Sequence, residues 1–215
     1  MPRAIDLIRR EHRDIALVVH CFATVLREVR EGKLEPDPAL FEAIIDYMQN
    51  FPDRFHHPKE EDYLFKTLRE RDKTVVPVID ELHRQHVAGE RSIADLRWKL
   101  DALKKDPEKG FGEFDKAASA YIDFQKQHMG LEEQKVLPAA EASFTAEDWE
   151  RIGKAFADND DPLFGHNPQT YYDRLFSRIV NLAPEPYGLG PRKEPHPKPV
   201  EPVSPRRAAL DLHWI

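Results

Sequence analysis

His57-Pro58-Lys59-Glu60-Glu61-Asp62-Tyr63-Leu64-Phe65 and its partial echo, His128-Met129-Gly130-Leu131-Glu132-Glu133-Gln134-Lys135-Val136-Leu137-Pro138, decide how this chain is read. Each sets a histidine four or five residues before a carboxylate. On a helix that spacing puts imidazole and carboxylate on one face, a turn apart. Two such faces could hold metal ions between them, provided that the rest of the chain supplies further ligands and a scaffold.

The scaffold is legible in the hydrophobic periodicity. Ile5, Ile8, His12, Ile15, Val19, Phe22, Leu26 and Val29 alternate in steps of three and four, which predicts a helix with a coiled-coil-like seam ending at Gly32. A second helix is expected from about Ala39 to Arg71. Its two apolar stripes fall out of phase around Pro52 and Pro58, so a bend there would bring His57 and Glu61 into line. Of the adjacent His56 and His57, the second shares a face with Glu61 and Leu64. A third helix runs from Val75-Val76-Pro77 to Lys104-Lys105-Asp106-Pro107, with His86 on its apolar stripe, Glu90 at i+4 and His83 as a competing ligand. A fourth follows Gly110-Phe111-Gly112 through Tyr121, Phe124 and His128. There Glu132 is the i+4 carboxylate, and Glu133 could be used instead if the helix widened locally. Thr145 to Asp148 resembles a capping box opening a short helix, and Gln169 to Asn181 is another.

These elements predict an all-α protein, an up-down-up-down antiparallel four-helix bundle over residues 1–145, with short accessory helices over 146–183 packing on it. From Pro184 to Pro205 there are eight prolines, so 184–215 is expected to be an extended or disordered Pro-rich tail, able at most to dock on a protein partner. A net charge of -7 excludes the basic face that nucleic-acid binding needs. With neither an apolar leader nor a membrane-length apolar run, and with Cys21 the single cysteine, the sequence reads as cytoplasmic.

Depth along the bundle joins the histidines. His12 is about seven residues from the start of its helix, Glu61 about nine from the end of the second, His86 about ten from the start of the third and Glu133 about nine from the end of the fourth. At about 1.5 Å per residue, all lie about 10–15 Å from one end. Independent core histidines have no reason to share a level, so the coincidence points to a metal site in the bundle core. Imidazole with carboxylate suits iron, manganese or zinc. No histidine is preceded by Glu at the Glu-x-x-His spacing of ferritin-like di-iron bundles, which disfavours that arrangement.

Glu11-His12-Arg13, His57 to Glu61 with Leu64-Phe65, His86, and His128 to Glu133 with Val136-Leu137-Pro138 together resemble the hemerythrin-like (HHE cation-binding) family over roughly Ile5 to Ala142. The resemblance implies two iron ions, oxo- or hydroxo-bridged, with manganese or zinc as alternatives. Its terminal ligands would be His12, His57, His86 and His128, and its bridges Glu61 and Glu133, the family's i+5 spacing favouring Glu133 over Glu132. Where oxygen carriers have a fifth histidine this chain has Glu90, an added candidate ligand. The function implied is binding of O2 or a related small ligand (NO, peroxide) for sensing, storage or detoxification, a ligand-binding role rather than an enzymatic one. The alternatives are a di-iron oxidase or peroxidase, or a metal-dependent regulatory interaction module.

Overall fold

The computed structural model describes residues 2–157 and 168–194. Among these, regular structure is helical throughout, apart from an isolated bridge between Pro184 and Gly190. α1 (Pro2–Arg30) ends where Gly32 takes φ +66° and Lys33 N–H bonds back to the Glu28 carbonyl, the left-handed closure for which glycine is suited. The second rod is continuous but not uniform. It comprises α2 (Pro38–Asn50), a π segment (Pro52–His56), α3 (His57–Lys59), a second π segment (Glu60–Phe65) and α4 (Lys66–Arg71). The out-of-phase stripes are thus reconciled by widened turns, in which His56 N–H bonds to Phe51 O and His57 N–H to Pro52 O.

α5 (Val76–Lys105) and α6 (Pro107–Leu131) meet at a tight corner. Asp106 caps α6 by accepting from Lys109 N–H, with Pro107 in the first turn, so this helix starts before the expected Gly110-Phe111-Gly112. Gly110 is required there, because a Cβ would lie 2.6 Å from the Leu103 Cα. A third π segment (Glu132–Val136) links α6 to α7 (Leu137–Ser143). α8 (Ala146–Ala157) opens with the expected box, in which Asp148 N–H donates to Thr145 Oγ1 and Thr145 N–H to Asp148 Oδ2. α9 (Pro168–Leu182) lies against α2.

The core is two apolar clusters with a polar layer between them. One gathers Ile15, Phe22 and Leu26 with Phe41, Ile44, Leu96 and Phe114. The other gathers Ile5 and Ile8 with Leu64, Phe65, Leu82, Val136 and, from α8, Trp149, Ile152 and Phe156. In chain order, α1 and α5 pass from the second cluster to the first, whereas the 38–71 rod and α6–α7 pass from the first to the second. Every crossing of the polar layer falls at a histidine.

Residues 184–190 fold into turns, and 191–194 return to the start of α2. Glu35 N–H bonds to Lys193 O, Lys193 Nζ reaches Asp37, and Tyr187 donates to Glu28. This part of the expected loose tail is therefore tied down, and the remainder, 195–215, lies outside the described residues. Among the described residues no helix is long and apolar enough to cross a membrane.

Candidate metal centre

The polar layer brings together five imidazoles and two carboxylates, supplied by His12 of α1, His56, His57 and Glu60 of the second rod, His86 of α5, and His128 and Glu132 at the end of α6. All seven are buried. Glu60 turns Oε1 toward His12 Nε2 (3.6 Å) and His56 Nε2 (3.4 Å), and Oε2 toward His86 Nε2 (3.6 Å). Glu132 turns Oε2 toward His12 Nε2 (3.5 Å), and Oε1 toward His128 Nε2 (3.3 Å) and His86 Nε2 (3.8 Å). Each carboxylate therefore divides its oxygens between two groups of histidines. His12 and His56 form one group. His57, His86 and His128 form the other, with the His57 and His86 rings stacked 4.2 Å apart.

The inward atoms lack partners. Nε2 of His12, His56, His86 and His128 and both oxygens of Glu60 and Glu132 are buried without a hydrogen bond. Buried polar atoms are normally satisfied, so such a convergence asks for a ligand. The separations agree with one. They exceed hydrogen-bond length, whereas two donors each about 2.1 Å from one ion stand about 3.0–3.4 Å apart for ordinary bond angles. Two sets of potential ligand atoms lie within 4.8 Å of one another, His57, Glu60, His86 and His128 in one and His12, His56 and Glu60 in the other.

An outer ring of acceptors orients the imidazoles. His12 Nδ1 pairs with Glu133 (2.8 Å), His56 Nδ1 with Glu11 (2.7 Å), His86 Nδ1 with Glu61 (2.8 Å) and His128 Nδ1 with the Gln85 amide oxygen (3.1 Å). These partners occupy the Nδ1 side of four rings and leave Nε2 as the nitrogen turned inward. Glu61 also accepts from His83 at 3.1 Å, so that exposed histidine lies a layer further out.

Electrostatics follow from this packing. Burial works against the charged form of His12, but Glu133, Glu60 and Glu132 overcome it and push its pKa up to about 10. His86 likewise rises to about 10 against its burial, through Glu132, Glu61 and Glu60, and His56 to about 9 through Glu60 and Glu11. Burial and the neighbouring His86 hold His57 well below its usual value, and burial lowers His128 as well. Glu60, despite full burial, is drawn well below the carboxylate range by His56 and His12.

Residues 3–140 match the family model of the hemerythrin HHE cation-binding domain. The chain belongs to the hemerythrin HHE family. No curated protein and no solved structure matched it. The hemerythrin domain is a cation-binding helical bundle, and here its His/Glu cluster is one that could hold a metal.

The geometry amends the expected set in three places. Of the expected residues, His12, His57, His86 and His128 converge. Glu61 and Glu133 do not join them, since their side chains are 29% and 36% exposed against 0% and 1% for Glu60 and Glu132, and each sits on the outer nitrogen of a histidine. The reason is the placement of the widened turns. The π segment after α6 begins at Glu132, so the turn from His128 to Glu132 keeps ordinary i+4 spacing and brings Glu132 inward. Glu90 is exposed and outside the cluster. The imidazoles of the second rod are two rather than one, and His56 with Glu60 repeats the i+4 pattern of His128 with Glu132. Applying that one spacing to both stretches would have found Glu60 and Glu132.

Proposed function

We propose that this cluster is a dinuclear non-haem iron centre that binds O2 or a related small ligand, NO or peroxide, for sensing, storage or detoxification. One ion would be held by His12 and His56, the other by His57, His86 and His128, with Glu60 and Glu132 shared between them. The observation that carries the reading is the split of each buried carboxylate between two sets of unpartnered imidazole nitrogens. Nitrogen and oxygen donors without a thiolate suit iron, and manganese or zinc can occupy the same donors. Bound iron would supply the reversible redox chemistry.

The chain's own residues do the rest. His12 and His56 bring two imidazoles where the other set brings three, so the first position has room for an outside ligand. Phe51 and Phe156 pack their rings 6.3 Å from that of His56 and make its surroundings apolar. Glu133, Glu11 and Glu61 hold the ring orientations, and their charge favours the oxidised metal. His57 supplies the fifth imidazole for which Glu90 stands in the expected place. The opposite order of the two apolar clusters along successive rods supports an up-down-up-down antiparallel bundle. A single unpaired Cys21 is compatible with a cytoplasmic setting.

The test is to purify the chain anaerobically, count iron per chain and admit air. Two irons and a new near-ultraviolet charge-transfer band on oxidation are expected. No bound iron, or iron without that band, would defeat the proposal.

A further inference from the structure

Asp53 is a buried carboxylate at the edge of the cluster, with a role that the ligand set above does not supply. It lies in the Pro52–His56 π segment, is 8% exposed, and neither of its oxygens has a hydrogen bond. Removing a carboxylate from water on those terms is strongly unfavourable while it stays ionised. Its nearest imidazole nitrogen is His57 Nδ1, one turn along and 3.5 Å from Oδ1, beyond good hydrogen-bonding distance. The contrast is with the other four imidazoles, whose outer partners are hydrogen-bonded at 2.7–3.1 Å.

We propose that Asp53 is the positioning residue of His57, retained at the expense of the metal-free fold because it holds that ring when Nε2 is on a metal. The inference rests on the dinuclear reading. With Nδ1 facing Asp53, Nε2 is the nitrogen left for the cluster. An imidazole bound to a divalent cation carries positive charge, and its N–H becomes a strong donor. The Asp53 oxygens, which have no other hydrogen bond, then have a strong donor beside them. Removing it therefore has opposite effects on the two states. The metal-free fold is relieved of a buried charge, and the metal loses the support of one ligand.

Two variants test this, Asp53→Asn, which keeps an acceptor oxygen, and Asp53→Leu, which keeps none. The melting temperature of the metal-free protein and zinc affinity, by chelator competition, are read for each. The metal-free variants are expected to melt higher than wild type. One of the two zinc ions should bind about 10–100-fold more weakly in Asp53→Leu, with a smaller loss in Asp53→Asn. A lower melting temperature in metal-free Asp53→Asn would make Asp53 an ordinary structural residue and overturn the proposal. So would zinc affinity unchanged in both variants while wild type binds two ions. If wild type takes up neither zinc nor iron, the dinuclear reading falls and this inference with it, so the two failures are told apart by the wild-type count.

Discussion

Replacing Glu60 by glutamine, with Glu61→Gln as its neighbour control, separates the inner from the outer carboxylates. Glu60 is fully buried and faces three imidazoles, with Oε1 on His12 and His56 and Oε2 on His86. Removing one partner from a buried charged cluster costs about 3–5 kcal/mol. At about 1.4 kcal/mol per tenfold, that is roughly a 10²–10⁴-fold loss of metal affinity, which a residue shared between two ions would impose on both. Glu61→Gln keeps an acceptor for His86 and removes only outer charge, so a loss of at most about 10–100-fold, confined to one ion, is expected. Ferrous and zinc affinities by chelator competition, with metal per chain after gel filtration, distinguish these outcomes. A Glu60→Gln protein that keeps two ions at wild-type affinity, beside a Glu61→Gln protein that loses them, would refute the assignment of inside and outside.

Metal uptake should release protons. The pKa values of His12, His56 and His86 stand at about 10, 9 and 10, above their ordinary 6.5, so near pH 7 all three rings are protonated in the metal-free fold. The stability they lend that fold is fully present below about 6.5 and is lost as pH rises through 9–10, while metal affinity strengthens with pH. Calorimetry in buffers of different ionisation heat is expected to give about three protons released per chain at pH 7, and none would contradict the charge state described. Asp148 is depressed to about 2, chiefly by its hydrogen bond from Arg71, with Thr145 adding to it. Its contribution is present above about 3.8 and disappears as pH falls through 2. After allowance for solvent screening it is about 1 kcal/mol, and Asp148→Asn should flatten the acid limb of the melting curve by that amount. Gly110→Ala places a methyl 2.6 Å from the Leu103 Cα. It should lower stability by about 1–3 kcal/mol in denaturant titration, and a neutral result would mean that the α5–α6 corner can move.

The helical architecture was legible in the sequence because three- and four-residue apolar steps leave little choice, as in α1, where His12 interrupts a seam otherwise made of apolar residues. The capping box at Thr145 was equally local and equally readable. Asp106-Pro107 carries the start signal of α6, ahead of the glycines from which the periodicity alone would begin the helix. The site was half legible. His12 and His86 were marked by a shared level, and His57 and His128 by the family's pattern, but Glu60 and Glu132 were not, since choosing between adjacent carboxylates depends on helical phase. That phase is set in the second rod by two stretches of i→i+5 bonding which apolar periodicity does not announce. The same widened turns let His56 and His57 both border the cluster, although on a regular helix neighbours point about 100° apart. Asp53 gave no sequence signal, because a single aspartate one turn before a histidine is commonplace.

Diffraction from crystals of the iron-loaded protein at the iron absorption edge tests the central claim most directly. Two anomalous peaks are expected, one between His12 and His56 and one among His57, His86 and His128, with Glu60 and Glu132 lying between them. A single peak, or peaks beside Glu61 and Glu133, would contradict the account.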